Sequence, residues 1–353
     1  MRILIVTQSV DQDDSILGFF HRWIEEFSKH AEEVKVVCLK EGKHNLPSKV
    51  EVFSLGKENI SGSLFSKRLR YTFRFLLYII KNRNEYDSVF VHMNPEYVVL
   101  GGIFWRMMGK KITLWYTHRQ VTLKLRIATL LSDVILTATP ESFILKSAKV
   151  HFIGHGIDTK IFGSVFKSDK LLNDPIRIMS VGRITPIKNP DIILEALSIL
   201  KKEGLAFEAT IIGSPSVDSD HLYLESLKKD VSRMSLGKEV KFLGSVSPDK
   251  MKEQYAWHDI SVNLTPTGGL DKVVLESMAS GTIPITSNKA FRSLFGEYWS
   301  MLICDEHNSQ SLAFLIKKLI NYKDIISLRT FLKRKVDQKG SVNLIVERIF
   351  SYL

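Results

Sequence analysis

Residues 176–203 read IRIMSV-GRITPIKN-PDIILEALSILKKE, and this stretch decides the fold. Four of the first six residues are apolar, Ile176, Ile178, Met179 and Val181, which is typical of a buried strand. The last fourteen begin with proline and carry apolar side chains at helical spacing, so they predict a helix that opens at Asn189-Pro190. A strand, a short loop and a helix form the repeating unit of parallel α/β sheets.

The same alternation extends along the rest of the chain. The predicted strands of the first half are RILIVT, VKVVCL, VEVFSL, SVFVHM, ITLWYT, DVILTAT and KVHFIG, and those of the second half are IRIMSV, FEATIIG, VKFLG, ISVNLT and IPITS. Helical stretches separate most of them, and the pattern restarts near residues 161–175. A chain of 353 residues suits two such domains. The predicted class is α/β, with ligands bound at the carboxyl ends of the strands.

Two segments of the second half indicate an anion site. The loop after IRIMSV contains Gly182, Arg183 and Lys188, and residues 262–281 read VNLTPTGGLDKVVLESMASG. Cations supply charge, the Arg fork grips two phosphate oxygens, and free N–H groups at a helix start add donors. Glu276, further along the second segment, could accept hydrogen bonds from a ribose diol. Phosphate and ribose together indicate a nucleotide.

These segments, with GHGIDTKIF at 154–162, resemble the motifs of retaining glycosyltransferases of the GT-B type, the group 1 or GT4 family. The resemblance is strong over most of the C-terminal half and weak over the N-terminal half. It implies a GT-B-like fold of two Rossmann-like β/α/β domains that face each other across a cleft. The expected domains are 1–164 on the acceptor side and 165–338 on the donor side, with a helix at 339–353 that returns to the first domain.

The resemblance also implies an activity. A sugar would pass, with retention of configuration, from a UDP- or GDP-sugar to a glycan or lipid-linked acceptor in polysaccharide or glycolipid assembly. No metal or cofactor would be required. Arg183 and Lys188 would stabilise charge on the leaving diphosphate, and His118, at the end of ITLWYT, would contact the transferring sugar. The donor nucleotide and phosphates are expected to contact Gly182, Arg183, Lys188, Phe242, Gly244, Gly269, Leu270 and Glu276.

The sequence departs from the family pattern at Gly268, where a second glutamate usually helps to hold the donor sugar. Its absence leaves the nucleotide site intact but bears on sugar choice and turnover. The candidates for sugar contacts are Thr265, Thr267, Gly268 and Asp271. Asp271 could equally be a plain helix cap, and Glu276 could simply pair with Lys272, four residues earlier.

Acceptor contacts are less sharply indicated. The candidates lie in loops that follow strands of the first half, and they are Gly18, His92, Asn94, Glu96 and Arg119. Ordinary loop or packing roles fit these positions about as well. The strings Asp11-Gln12-Asp13 and Asp218-Ser219-Asp220 could hold a divalent ion in a different glycosyltransferase fold, but no metal site is predicted here.

Residues 61–83 form a predicted basic amphipathic helix without an acidic residue. Its apolar side chains recur at helical spacing and are expected to pack at least partly on the sheet. They are Leu64, Phe65, Leu69, Phe73, Leu76, Leu77 and Ile80. The alternatives are an ordinary domain helix and a helix whose cations contact anionic lipid. The candidate membrane contacts are Lys67, Arg68, Arg70 and Arg74.

The net charge of the chain is +11, which could also attract a nucleic acid. The sequence contains no recognised nucleic-acid-binding motif, so no nucleic-acid partner is expected.

The compartment is expected to be the cytoplasm, with a peripheral position on the inner face of the plasma membrane. MRILIV fits a first strand better than a signal peptide, and the longest apolar runs are too short to span a bilayer. Two cysteines in apolar contexts suit buried, reduced thiols.

Two other functions remain open: a nucleotide-sugar-binding protein without turnover, and a peripheral membrane adaptor with a vestigial cleft.

Overall fold

The computed structural model describes residues 1–14, 17–59 and 62–353. It divides into two compact units, one formed by residues 1–156 and 342–353 and the other by residues 157–341. Each unit contains one parallel sheet with helices between successive strands, which confirms the predicted α/β class. The first residue of the predicted basic segment 61–83 lies outside the described residues.

The first unit is built on a seven-stranded sheet with the order β3-β2-β1-β4-β5-β6-β7. Its strands are β1 (Arg2–Val10), β2 (Glu33–Glu41), β3 (Val50–Ser54), β4 (Ser88–His92), β5 (Lys111–Trp115), β6 (Val134–Thr137) and β7 (Val150–Phe152). Its helices are α1 (Phe19–His30), α2 (Leu64–Lys81), α3 (Pro95–Met107), α4 (Leu123–Leu131) and, near the C-terminus, α14 (Val342–Phe350). All seven strands coincide with predicted ones.

Two apolar layers cover this sheet. One layer joins the buried faces of α1 and α14 to side chains of β1, β2 and β4. The other joins α2, α3 and α4 to the alternate side chains of the same strands. Successive side chains of a strand point to opposite faces, so each buried strand needs apolar residues throughout. Helices α2, α3 and α4 therefore lie side by side on one side of the sheet.

Helix α2 packs differently from the prediction. Its core contacts are made by Phe75, Tyr78 and Ile79, which are buried against the sheet. Of the predicted stripe, Leu76 is partly buried, whereas the other members are exposed, namely Leu64, Phe65, Leu69, Phe73, Leu77 and Ile80. The expectation that this stripe packs at least partly on the sheet is therefore met at Leu76 alone. The helix carries two apolar faces, and the sheet covers the one that the spacing argument overlooked.

The second unit is built on a five-stranded parallel sheet with the order β10-β9-β8-β11-β12. Its strands are β8 (Ile176–Val181), β9 (Phe207–Ile212), β10 (Val240–Gly244), β11 (Ile260–Asn263) and β12 (Ile283–Thr286). Its longer helices are α6 (Pro190–Lys202), α7 (Asp218–Arg233), α8 (Met251–Trp257), α9 (Lys272–Ser280), α12 (Ser309–Ile320) and α13 (Ile325–Lys339). Short helices α5 (Thr159–Gly163), α10 (Arg292–Phe295) and α11 (Trp299–Leu302) complete it.

Residues 157–164 lie in the second unit, although the sequence assigned them to the first domain. The reason is a packing contact of α5. Phe162 is buried and meets the ring of Tyr255 edge-on, with 5.6 Å between ring centroids. Helix α5 also packs on α9, so the segment shares the core of the second unit. Among the described helices of both units, none is long and apolar enough to cross a bilayer.

Candidate functional site

A pocket opens at the carboxyl ends of β8, β9 and β11 in the second unit. It is open to solvent and is lined by Ser180, Val181, Gly182, Arg183, Ile184, Lys188, Pro190, Ile211, Ile212, Asn263 and Leu264. Three predicted phosphate contacts, Gly182, Arg183 and Lys188, therefore lie together. Arg183 is exposed, and its guanidinium forms no ion pair with any residue in the described part of the chain. The pocket thus presents an uncompensated cation beside a strand end, where parallel sheets bind ligands.

Glycines allow the backbone turns at these strand ends to approach closely. Gly213, after β9, has a φ of 138°, and a Cβ there would lie 1.8 Å from the carbonyl oxygen of Gly182. The Gly213 N–H donates to the carbonyl of Gly244 at 2.8 Å, so the ends of β9 and β10 are joined. Gly213 was not among the predicted site residues. Gly213 directly follows the strand FEATII, as Gly182 follows IRIMSV, and this shared position could have indicated that Gly213 lies near the site.

Lys188 is held at the pocket by two side chains from the loop after β11. Its Nζ donates to Thr265 Oγ1 at 2.9 Å and to Asp271 Oδ1 at 3.2 Å. The next residue, Asn189, has a left-handed φ of 50° and donates through Nδ2 to the Leu264 carbonyl at 2.9 Å. The loop after β8 is therefore tied to the loop after β11. This arrangement joins the phosphate candidate Lys188 to the sugar candidates Thr265 and Asp271.

Asp271 occupies the position before α9 but does not cap that helix through its side chain. Its second oxygen, Oδ2, instead accepts from Asn288 Nδ2 at 3.4 Å. Asn288, which is fully buried after β12, also donates to the Gly269 carbonyl at 2.8 Å and accepts from the Gly268 N–H at 3.4 Å. Asp271 is therefore not a plain helix cap, the alternative that the sequence left open. Asn288 holds the Gly268–Asp271 loop in place, and it was not among the predicted site residues.

The remaining donor candidates of this loop are placed by similar contacts. Thr267 Oγ1 accepts from the Lys289 N–H at 3.1 Å, and Leu270 is buried beneath the loop. Phe242, half-buried, and Gly244 lie on β10, which is separated from β8 by β9 in the sheet order. Neither residue lines the pocket described above.

Glu276 lies on α9 and faces a buried tyrosine. Its Oε2 accepts a hydrogen bond from the Tyr255 hydroxyl at 2.8 Å. Burial raises the pKa of Glu276, while the nearby charge of Lys272 and the Tyr255 hydrogen bond oppose the shift. A carboxylate with one hydrogen-bonded oxygen retains acceptor capacity on the other. Tyr255, which was not predicted, therefore fixes the orientation of Glu276.

His118 belongs to the first unit and follows β5. Its side chain is exposed, and its ring meets Tyr116 edge-on at 5.8 Å between centroids. Partial loss of hydration lowers the pKa of His118 below its ordinary value of 6.5, so the ring is mostly neutral at pH 7. Arg119, the next residue, is also exposed. Both side chains are thus accessible at a strand end, as the sequence predicted for that position.

His92, at the end of β4, has a different environment. It is only 2% exposed, and its ring stacks on Phe20 with centroids 3.8 Å apart. Its Nδ1 lies 3.1 Å from Thr7 Oγ1. These contacts bury the imidazole in the core and place it out of reach of an acceptor. The structure favours the packing role that was left open for His92.

The other acceptor candidates differ in accessibility. Asn94 is half-buried and donates through Nδ2 to the His92 carbonyl at 3.2 Å. Glu96, at the start of α3, pairs with Lys124 at 2.9 Å, and both side chains are largely exposed. Gly18 is buried, and a Cβ there would lie 2.5 Å from the Asp14 carbonyl oxygen. Close backbone packing therefore explains Gly18.

The aspartate strings are accounted for by ordinary contacts. Asp11 lies 3.5 Å from Lys40, and Asp13 lies 3.7 Å from Lys43. Asp218 and Asp220 lie in the first turn of α7, where acidic side chains favour the helix N-terminus. Within the described ranges, no group of His, Cys, Asp and Glu side chains has an arrangement that could hold a metal ion.

Comparison of the sequence with known proteins identifies the second unit. Residues 164–335 match the family described as glycosyl transferases group 1. The amylovoran biosynthesis glycosyltransferase AmsK of Erwinia amylovora is 26% identical over 214 residues, which cover 58% of this chain and 50% of AmsK. The chain thus spans about half the length of this curated relative.

Comparison of structures identifies the fold of the whole chain. Anabaena Alr3699/HepE has been solved in complexes with UDP and with UDP-glucose. Its UDP complex superposes on this chain with a TM-score of 0.76 and a sequence identity of 17%, and the alignment covers 99% of both chains. Sucrose-phosphate synthase from Thermosynechococcus elongatus has a TM-score of 0.78, is 14% identical, and covers 99% of this chain and 97% of that one. Residues 164–335 therefore belong to the group 1 glycosyl transferases, in a chain with the GT-B fold.

Proposed function

We propose that this protein is a glycosyltransferase that moves a sugar from a nucleotide-diphosphate sugar to a glycan or lipid-linked acceptor, with retention of configuration. The pocket that contains Gly182, Arg183 and Lys188 carries the proposal, because it lies within the segment that matches the family. Two cations beside a strand end suit a diphosphate. The donor is a UDP- or GDP-sugar, and the UDP complexes of Anabaena HepE make UDP the first to test.

The chemistry assigned to this site is electrostatic. When the sugar–phosphate bond breaks, negative charge grows on the leaving diphosphate oxygens. Arg183 and Lys188 lower the energy of that state, because preorganised cations act without reorganisation during the reaction. Lys188 is already oriented by Thr265 and Asp271. We propose that the Thr265 hydroxyl and the Asp271 carboxylate, together with Thr267, contact the donor sugar. They would take the place of the glutamate that the family usually has at the position of Gly268.

Calorimetric titration with UDP and GDP, followed by transfer assays with a panel of donors, tests the proposal. Binding with transfer supports the enzyme. Binding without transfer or hydrolysis would favour a nucleotide-sugar-binding protein, an alternative motivated by Gly268. Lipid binding without nucleotide binding would favour a membrane adaptor with a vestigial cleft.

Glu276 is proposed to bind the donor ribose. Glu276→Gln keeps the shape of the side chain but removes the charged acceptor, so we expect nucleotide affinity to fall by roughly 1.5–3 kcal/mol. Burial raises the pKa of Glu276, so the ionised carboxylate destabilises the folded state at pH values above the ordinary pKa of a glutamate. The free energy of unfolding therefore increases as the pH falls through the raised pKa. The same variant should therefore melt at or above the parental temperature at pH 7.

Matched calorimetry and thermal melting separate ribose binding from a structural role. Tyr255→Phe is the companion variant, since it removes the hydroxyl that orients Glu276 but leaves the carboxylate. If Glu276→Gln binds UDP and GDP like the parent, the ribose assignment fails and Glu276 is a partner of Lys272 and Tyr255.

We propose that the acceptor side works at an anionic membrane, on the inner face of the plasma membrane in the cytoplasm. The cations of α2 support this partner, since Lys67, Arg68 and Arg70 lie near its N-terminal end and that helix contains no acidic residue. Each Lys or Arg near an anionic surface contributes about 1 kcal/mol. The name of AmsK refers to amylovoran biosynthesis, which fits a role in the assembly of surface polysaccharide or glycolipid.

Neutralising Lys67, Arg68 and Arg70 with glutamine should reduce sedimentation with anionic vesicles. Arg74, the fourth candidate, is left in place because it donates to the Ser54 carbonyl at 3.0 Å and packs over Phe53. Parental binding should also weaken as salt rises, because exposed charges are screened beyond ~8 Å at physiological ionic strength. Absent or wholly salt-insensitive binding by the parent would contradict the electrostatic role of α2.

A further inference from the structure

Helix α2 exposes a continuous row of large apolar side chains. Phe65, Leu69, Phe73 and Leu77 follow one another at intervals of four residues, the spacing of neighbours on one helix face. Their side chains are exposed, with Phe65 at 79% and Phe73 at 66%. We call these four residues the α2 stripe. The stripe is not needed to hold the helix on the sheet, because Phe75, Tyr78 and Ile79 already do so.

The helices beside α2 expose similar rows. In α3, Ile103 and Met107 are four residues apart and exposed, Met107 at 80%. In α4, exposed apolar side chains recur at intervals of four and three residues, at Leu123, Ile127 and Leu130. Helix α2 packs on α3 and α3 packs on α4, and all three bury their other faces in one core layer. The three rows therefore belong to the same outer side of the first unit, which we call the outer layer face.

The charges of these helices indicate what covers the face. Helices α2, α3 and α4 contain eight Lys or Arg residues and one acidic residue, Glu96, which pairs with Lys124. A second copy of the chain would bring a cationic face against another cationic face, and like charges repel. Large exposed apolar areas bordered by polar residues mark interaction sites. Apolar rows bordered by cations match a bilayer with anionic headgroups, where the apolar side enters the acyl boundary.

We propose that the outer layer face inserts into the interfacial region of an anionic bilayer, with the α2 stripe and the exposed rows of α3 and α4 as the inserting side chains. This inference rests on the proposed membrane partner and deepens it, since it adds apolar insertion to charge attraction. The face covers parts of three helices, so the first unit would lie flat on the membrane rather than hang from a single helix. The binding free energy then has an apolar part that no change of cations removes.

Site-specific fluorescence measures the insertion. Cys38 and Cys304 are buried, and burial raises the pKa of each thiol to about 12, so both react poorly with alkylating probes at neutral pH. Single cysteines introduced as Phe73→Cys and Met107→Cys can therefore be labelled selectively with an environment-sensitive nitrobenzoxadiazole dye. Leu222→Cys, on α7 of the second unit and 76% exposed, is the matched control.

With vesicles of phosphatidylglycerol and phosphatidylcholine, we expect a blue-shifted, brighter emission at positions 73 and 107 and no change at 222. Collisional quenching by acyl-chain nitroxide lipids should follow the same pattern. Unchanged emission at 73 and 107, under conditions in which the labelled protein sediments with the vesicles, would overturn insertion while leaving the electrostatic partner in place. A change that appears without lipid and grows with protein concentration would assign the face to self-association and would also overturn the proposal.

A serine variant tests the energetic contribution. Phe65→Ser, Leu69→Ser and Phe73→Ser together keep every cation of α2, and we expect at least ~10-fold weaker vesicle binding at low salt, since the transfer of three large apolar side chains is lost. Leu171→Ser, Leu222→Ser and Phe314→Ser together remove exposed apolar side chains of the second unit and should bind like the parent.

The same proteins are titrated with UDP and GDP by calorimetry. Parental nucleotide affinity in the α2 serine variant shows that the donor site is intact, so loss of vesicle binding bears on the membrane face alone. Parental vesicle binding by the α2 serine variant would overturn the proposed insertion. Failure of the parent itself to bind either nucleotide would instead contradict the proposed transferase, whatever the vesicles show.

Discussion

Replacement of His118 by alanine is expected to slow sugar transfer ~100-fold or more, as removal of one well-placed polar group can. Nucleotide affinity should stay near the parental value, because His118 belongs to the first unit and the cationic pocket to the second. A contact made mainly in the transition state lowers kcat and kcat/KM together. Single-turnover transfer rates and UDP or GDP titrations measure the two effects separately.

The environment of His118 sharpens this prediction. Partial loss of hydration lowers the pKa of the imidazole, so the ring acts at pH 7 as a neutral hydrogen-bonding group rather than as a cation. His118→Gln, which retains a polar group, should therefore keep more transfer activity than His118→Ala. His118→Lys, which adds a charge, should not exceed the glutamine variant. If His118→Ala turns over at the parental rate, His118 is only a residue at the edge of the sheet.

In that case the catalytic group would have to be sought elsewhere among the polar side chains of the first unit. His92 is a poor substitute because it is buried against Phe20 and Thr7. Glu96 remains accessible and pairs with an exposed lysine, Lys124. The Glu96→Gln variant would be the next to assay.

Replacement of Arg183 by alanine is expected to weaken nucleoside diphosphate binding by roughly 1.5–3 kcal/mol, the scale of a hydrogen bond to a charged group. This corresponds to about a 10- to 150-fold loss of affinity. Arg183 is exposed in the pocket and has no carboxylate partner among the described residues, so its charge is fully available to the phosphates. Nucleoside monophosphates and unphosphorylated nucleosides should show progressively smaller losses.

Lys188→Ala should also weaken diphosphate binding, but for a second reason. Lys188 compensates Asp271, and its removal leaves that carboxylate beside the phosphates. Lys188→Ala combined with Asp271→Asn should therefore recover part of the lost affinity. Arg233→Ala, which removes an exposed arginine of α7 that is paired with Asp230, is the matched control and should bind like the parent. Unchanged affinity in both Arg183→Ala and Lys188→Ala would remove the basis for the phosphate site.

Much of the fold was readable from the sequence because its signals are local. A buried parallel strand requires a short apolar run, and a helix that covers the sheet requires apolar residues at helical spacing. The strand IRIMSV and the helix after it could therefore be predicted from their own residues. The loop that joins them had to follow the carboxyl end of a strand. This rule placed Gly182, Arg183 and Lys188 in one pocket without any knowledge of distant contacts.

The partners of those residues could not be read from the sequence. Asp271 and Lys188 are 83 residues apart, and only the packing of β8 beside β11 brings their loops together. The same packing turns the Asp271 side chain away from the helix it precedes. Asn288 has no charge and no motif, so its three contacts with the Gly268–Asp271 loop become visible only when β12 lies next to β11.

The sequence by itself determined that α2 is a basic helix with apolar side chains at helical spacing, because period and charge are properties of the chain alone. The tertiary structure decided which apolar face is buried. A sheet covers only one side of a helix, and the shapes of Phe75, Tyr78 and Ile79 fill the layer over the strands while Phe65 and Phe73 remain outside. The burial of His92 was decided in the same way, because Phe20 and Thr7 reach it from other elements of the core.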